Sequence, residues 1–285
     1  MSTATQTVAL PASVIERRDG RVGQLSQFYG LYAREVIKTF RNPFVIVITL
    51  VQPFMWLAFF GGIFSTLPTG TLDSFLLHAP PGTGYLAFLL PGTLATGMMA
   101  IGMFGSMSTI QDKRFGFMKR ILITPTTKST VYLTKALGSA TRGLVQIPVM
   151  VVAAVAFGVA LHGNVIGWCA WISGLVLLGL GFSALFLAIT SSSTDWQTPG
   201  VISNFITMPL MFASGAMFPT AIYPTWMQDI ASVNPVGYSA QLSRNVLTYG
   251  QFTSIDVTYL GYLALFAVLM IVIGTALASR YLKVE

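Results

Sequence analysis

The sequence predicts an all-α integral membrane protein of six transmembrane helices with both termini cytoplasmic, and three observations predict it. First, 54% of the 285 residues are hydrophobic and only 9% are charged, with a mean hydropathy of +0.71. A soluble domain carries about 25% charged residues, so 16 Lys+Arg and 9 Asp+Glu are too few to cover a water-facing surface. Second, six uncharged stretches approach the roughly 20 apolar residues that a helix needs to cross the hydrocarbon core. A membrane β-barrel would show segments of about ten residues with alternating polarity instead. Third, fifteen of the sixteen basic residues fall in the segments that the spans place on one side, and only Arg244 falls on the other. Lys and Arg accumulate on the cytoplasmic side.

Taken in order, residues 1–21 read as a flexible cytoplasmic tail. No short apolar stretch with a cleavage site precedes Arg17, so the first span is expected to act as a signal anchor. Residues 22–42 follow a helical period: Val22, Leu25, Phe28, Tyr29, Tyr32, Val36 and Phe40 share one arc, and Arg34, Lys38 and Arg41 lie opposite. That is an amphipathic interface helix, its basic face toward water, anionic headgroups or a cytoplasmic partner. Asn42-Pro43 turns the chain into the membrane. The spans are expected at about 44–64, 85–110, 128–161, 166–190, 199–218 and 257–279. The uncharged core of the third is 143–161, its cytoplasmic end reaching back to Lys128, with Arg142 snorkelling to the inner headgroups. The loop 111–127 carries Asp112, Lys113, Arg114, Lys119 and Arg120 around Phe117, Ile121 and Leu122. Apolar residues at helical spacing between charges predict a short protruding helix that stops before Pro125. An apolar face on a solvated loop implies a protein partner. On the outer side, residues 219–256 predict a cap of two short helices, Thr225 to Ser232 and Val236 to Leu247, separated by Asn234-Pro235, with Trp226 and Tyr238 at headgroup level.

Several chemistries are excluded or made improbable. None of the nine acids lies inside a span, which disfavours a proton-driven carrier. No Gly-Lys dipeptide occurs, so the phosphate-cradling loop of nucleotide hydrolases is absent. There is no Gly-x-Ser-x-Gly elbow and no His-Glu-x-x-His, and His78, His162 and Cys169 offer no metal set; no catalytic or metal residue is expected. Cys169 reads as a small buried hydrophobe. Gln52, Thr96, Ser106, Gln146, Ser183, Asn204 and Thr207 read as polar contacts between helices. Met99, Met103 and Met107 form a stripe along the second span, and Met208, Met211 and Phe212 lie on the fifth; such adaptable side chains suit apolar binding as well as core packing. The net charge of +7 reflects topology and docking, with no nucleic-acid partner.

Three segments together resemble the ABC-2-type exporter permeases of the daunorubicin-resistance-like group. They are the basic interface helix, the loop Gly116-Phe117-Met118-Lys119-Arg120-Ile121-Leu122-Ile123-Thr124-Pro125, and the run Ser214-Gly215-Ala216-Met217-Phe218-Pro219 continuing through Pro224-Thr225-Trp226-Met227 to Asn234-Pro235-Val236-Gly237-Tyr238 and Arg244. The resemblance spans about 22–283; Gln111 to Arg114 departs from the acid-rich start usual in the family, keeping only Asp112.

The resemblance implies a type V (ABCG-like) transmembrane fold, an ABC-2 transmembrane domain over 22–285, and a half-transporter that pairs with a second permease copy or paralogue. It also implies separate ABC ATPase subunits, which would bind ATP and Mg; this chain would bind no cofactor. Residues 111–125 would be the coupling helix, with Phe117, Met118, Ile121 and Leu122 as apolar anchors and Asp112, Lys113, Lys119 and Arg120 as orienting charges. Arg34, Lys38 and Arg41 would touch the same subunit. Helices 2 and 5 would line the substrate path, through Thr96, Met99, Met103, Asn204, Met208, Met211 and Phe212. The expected function is export of hydrophobic or amphipathic compounds (drug, antibiotic or lipid-like) across the plasma or inner membrane of a prokaryote. A secondary carrier or channel without an ATPase is the alternative, and a lipid enzyme is the weakest reading.

Overall fold

The computed structural model describes residues 20–41, 43–66, 84–117, 126–193, 195 and 197–281. Turns and short connections join its helices: α1 (Gly20–Phe40), α2 (Pro43–Ser65), α3 (Tyr85–Arg114), α4 (Lys128–Leu144), α5 (Gln146–Ala156), α6 (Val165–Ser192), α7 (Gln197–Phe212), α8 (Thr225–Val233), α9 (Pro235–Ser243) and α10 (Ser254–Tyr281). Among them, four helical stretches are long and apolar enough to cross a membrane: Tyr85–Arg114, Lys128–Ala156 (α4 and α5 together), Val165–Ser192 and Ser254–Leu277. Leu50–Phe64 is a shorter apolar helix. The tail 1–19 and most of the expected coupling loop, 118–125, lie outside the described residues.

Local chemistry accounts for the helix starts. Asn164 accepts from Gly167 N at 2.7 Å, Thr127 accepts from Thr130 N at 3.2 Å, and Asn234 accepts from Val236 N at 3.0 Å with Pro235 at the first helical position. Each satisfies a backbone donor that the helix itself cannot. The expected third span is two helices, α4 and α5, breaking at Val145. Pro148 supplies the reason: it has no N–H for the carbonyl of Leu144, and its ring crowds that carbonyl.

The core forms where α3 crosses α6. The apolar window of α3 is 89% buried, against 17% for α10. α3 is therefore the internal helix, and α10 packs chiefly along α6, with smaller contacts to α9 and α4, and turns the rest of its surface outward. Leu89, Leu90, Leu94, Met98 and Met99 from α3 meet Trp171, Leu175, Leu178, Phe182 and Phe186 from α6 in one apolar cluster.

The fifth span departs most from the sequence expectation. Instead of continuing to 218, α7 ends at Phe212, giving 16 residues and about 24 Å of helix, short of the roughly 30 Å core of a bilayer. Residues 213–217 are buried in a turn. Gly215 adopts a left-handed φ of 71° that a side chain would strain, and Ala216 N donates to Ser214 Oγ at 3.1 Å. The turn lies directly against α3, where a Cβ at Gly92 would collide with the Ala216 carbonyl.

Arg244 holds that turn. It is 1% exposed, begins a five-residue π-helical turn after α9, and has no carboxylate partner among the described residues. Its Nη2 donates to Gly215 O at 2.8 Å and Ala216 O at 2.7 Å, and its Nε donates to Phe88 O at 3.1 Å. The guanidinium carbon lies 3.7 Å from the centre of the Phe88 ring. Burial pushes its pKa down to about 10, which still leaves it charged at neutral pH. Tyr85 O–H donating to Met217 O (2.8 Å) and Thr248 Oγ1 donating to Ala87 O (3.0 Å) complete the clamp. Arg244→Met removes the guanidinium donors from the buried carbonyls of Gly215, Ala216 and Phe88 and is expected to cost about 3 kcal/mol of stability. Arg244→Lys should recover less than half of that, because one ammonium cannot reproduce the fork. Thermal unfolding in lipid nanodiscs reads both, and an unchanged midpoint for Arg244→Met contradicts the clamp.

Candidate functional site

Opposite the Arg244 clamp, α1 joins the C-terminal end of α3 and the N-terminal half of α4 through a partly buried charge cluster. Asp112, on the last turn of α3, is 6% exposed. Its Oδ1 accepts from Lys38 Nζ at 3.2 Å and lies 3.5 Å from Arg34 Nη2, and its Oδ2 is paired with Lys135 of α4. Glu35 accepts from Arg34 Nη1 at 2.9 Å and lies 3.5 Å from Lys135 Nζ. Around this cluster, the hydroxyls of Tyr32 and Thr141 share a 2.8 Å hydrogen bond, and Arg142 Nε donates to Thr39 Oγ1 at 3.1 Å. The Arg34 guanidinium also covers the Phe117 ring at 3.6 Å, a cation–π contact.

This geometry revises several expectations. The basic face of α1 does not simply face water: Arg34 and Lys38 reach inward to Asp112, and only Arg41 is exposed. Part of the expected apolar arc, Leu25, Tyr29 and Phe40, is exposed together with Ile37. Arg142 does not snorkel to headgroups; it is 8% exposed and tied to α1. Asp112 is turned inward, its carboxylate held by three cations. Lys113 is likewise occupied: its Nζ donates to the carbonyls of Thr190 (3.3 Å), Ser191 (2.7 Å) and Ser193 (3.2 Å), capping the C-terminal, negative end of α6.

Of the expected apolar anchors, Phe117 is partly buried against a small cluster of Val131, Tyr132, Ala136, Ala184 and Leu187. Met118, Lys119, Arg120, Ile121 and Leu122 lie outside the described residues. The aromatic presented outward is Phe115, 83% exposed at the end of α3, a residue that sequence reasoning passed over. Its signal was available: Phe115 and Phe117 are two apart and cannot share a helical face. Next to this end, Gly30, Ala33, Arg34, Ile37, Lys38 and Arg41 line a cleft of about 570 Å³.

The expected substrate-path residues divide into two groups. Thr96 and Met99 are buried inside the chain's own core, Met103 and Met211 are nearly so, and Thr96 Oγ1 donates to Thr93 O within its own helix at 3.1 Å. Asn204, Met208 and Phe212 are exposed on α7, alongside Val201 and Phe205. On the opposite face of α7, the Ser203 and Thr207 hydroxyls are buried without a hydrogen-bond partner among the described residues. Cys169, expected to be buried, is exposed on α6, whose first turns face outward at Val165 and Ile166. Among the described residues, no group of three His, Cys, Asp or Glu could hold a metal ion.

A helical bundle with apolar outer faces, a charge cluster at one end and a clamped cap at the other defines a multi-pass membrane protein. Residues 26–248 match the ABC-2 type transporter family, and the chain belongs to that family of transport permeases. It is similar to ycf38 of Porphyra purpurea, 26% identical over 274 residues that cover 91% of this chain and 89% of ycf38. It is also similar to nodulation protein J of Rhizobium leguminosarum bv. viciae, 24% identical over 209 residues (70% and 77% of the two chains). A third relative is the daunorubicin resistance ABC transporter permease protein DrrB1 of Streptomyces coeruleorubidus, 24% identical over 203 residues (71% and 67%).

The cluster gives a direct test. Asp112→Asn leaves Lys135, 5% exposed, short of a counter-charge and is expected to cost about 3 kcal/mol. Replacing the pair together, Asp112→Leu with Lys135→Met, should cost less than Asp112→Asn alone, because no buried charge is stranded at that contact. A double-mutant cycle of Asp112→Leu, Lys135→Met and the two together, read by unfolding in nanodiscs, decides it; strict additivity of those two single costs contradicts the pairing.

Proposed function

We propose that this chain is the membrane-spanning permease of an ATP-driven exporter of hydrophobic or amphipathic compounds. The observation that carries the reading is the Arg34–Phe117 contact beside the Asp112 cluster. It joins the interface helix and the start of the loop after α3 into one surface, so a partner pressing there moves α1, α3 and α4 together. ATP and Mg would be held by a separate ABC ATPase. Arg41, Phe115, the rims of Arg34 and Lys38, and residues 118–122 would meet that partner, and the cleft along α1 would receive it. The buried Asp112 and the capping Lys113 act behind this surface, fixing α3 to α1 and α6.

In this reading the chain has six spans, with α2 and α7 as the two shorter ones, and both termini are cytoplasmic in a prokaryotic plasma membrane. A second permease copy or paralogue covers the exposed face of α7, so that Asn204, Met208 and Phe212 line the substrate path, with Thr96, Met99, Met103 and Met211 as its packed wall. An ATP-driven shift requires contacts that differ between inward-open and outward-open states, and the lightly packed α7 is the helix with room to provide them. The drug-resistance name of one relative supports amphipathic cargo for this chain by analogy.

Charge reversal of Lys119 and Arg120 to Glu is expected to abolish transport and ATPase association while leaving membrane insertion intact. Phe115→Ala should weaken ATPase association by about tenfold, the loss of one well-buried aromatic anchor. Co-purification in mild detergent and export from loaded vesicles measure both. Transport by the isolated chain driven by an ion gradient alone would support a secondary carrier instead.

A further inference from the structure

The Arg244 end of the bundle holds a second cleft, of about 260 Å³, between the turn after α7 and helices α8, α9 and α10. Ser214, Thr220, Gln228, Tyr238, Gln241 and Tyr259 supply most of its polar lining, and among the described residues no Asp, Glu, Lys, Arg or His lines it. One wall is aromatic. Tyr238 stacks on Tyr262 with ring centres 4.9 Å apart and planes 11° from parallel, and Tyr259 lies 5.6 Å from Tyr238.

Three of the polar groups are already engaged. Ser214 Oγ donates to Met211 O at 2.7 Å, Gln228 Nε2 donates to Tyr223 O at 2.8 Å, and the Tyr238 hydroxyl donates to Ser232 O. The Gln241 carboxamide and the hydroxyls of Thr220 and Tyr259 make no hydrogen bond among the described residues. The cleft therefore offers one group with two donors and an acceptor, two groups that both donate and accept, and ring faces. That combination suits an uncharged ligand rich in hydroxyls; a charged one would lose water without gaining a counter-ion. Beside the cleft, α10 turns Tyr262, Leu265 and Leu269 outward, 48%, 55% and 47% exposed, a continuous apolar stripe at i, i+3 and i+7.

We propose that this cleft binds the uncharged glycosyl headgroup of an amphiphile whose hydrocarbon chains run along the Tyr262–Leu265–Leu269 stripe. The site names a headgroup chemistry and does not require that the chain work with an ATPase, so it stands or falls separately from the transport reading.

The test uses the full chain, purified without glycoside detergents and placed in phosphatidylcholine nanodiscs containing diglucosyl-diacylglycerol or phosphatidylglycerol. Lipid retained on the protein is counted by native mass spectrometry. The glycolipid is expected to be retained in preference to both phospholipids. Gln241→Leu and Tyr259→Phe should each weaken its binding about tenfold, with no change in unfolding midpoint. Soluble maltose should compete only at far higher concentration; competition at equal concentration would overturn the role of the apolar stripe and make a free sugar the ligand. Equal retention of phosphatidylcholine, or wild-type binding in both variants, would overturn the site.

Discussion

Charge taken out of water must find a partner, and this chain meets that requirement at the two ends of one helix. At one end of α3, Asp112 is held by Lys135, Lys38 and Arg34. Near the other, Arg244 crosses Phe88 to reach the carbonyls of Gly215 and Ala216. Phe88 and Asp112 stand about 36 Å apart along the helix at about 1.5 Å per residue, close to the thickness of a bilayer core. Between them α3 is apolar and almost wholly buried. It thus serves as the strut on which the interface helix, the bundle and the cap are mounted. Under the proposed function, a push on α1 would reach α3 through these partly buried ion pairs, which are screened less than pairs in open water.

The parts of this architecture legible in the sequence are those that the bilayer dictates. Length, hydropathy and the absence of charge marked α2, α3, α6 and α10 to within a few residues, since no other pattern satisfies backbone groups in hydrocarbon. The boundaries of α1 and the two cap helices followed from periodicity and from Asn234-Pro235. What sequence could not distinguish was an apolar helix from an apolar turn: residues 213–218 read as a continuation of α7, yet Gly215 and the distant Arg244 bend them back. Nor does periodicity tell a basic face that meets water from one that meets a buried carboxylate. Arg34, Lys38 and Arg142 were misread for that reason, because Asp112 and Thr39 are contributed by segments far away in the chain. Phe115 and Phe117 differ only in which side of the helix end they leave, and that direction is set by tertiary packing.

The two ends also divide the chemistry. The α1 end is charged and carries an exposed aromatic, Phe115; the proposed function assigns this surface to the ATPase. The Arg244 end is clamped by neutral carbonyls and bears a cleft of amides, hydroxyls and tyrosines, as expected of a surface that meets uncharged polar groups at the membrane boundary. α7, with apolar side chains outward and unpartnered hydroxyls inward, is the least committed helix between them.

If the ion cluster binds α1 and α3 into one rigid body, the distance between them is fixed. Spin labels on cysteines replacing Tyr29 of α1 and Phe115 of α3, both exposed, with Cys169 changed to Ala, measure it directly by pulsed dipolar spectroscopy in nanodiscs. A single narrow distance distribution is expected. A broad distribution, as for a helix lying free on the membrane surface, would contradict it.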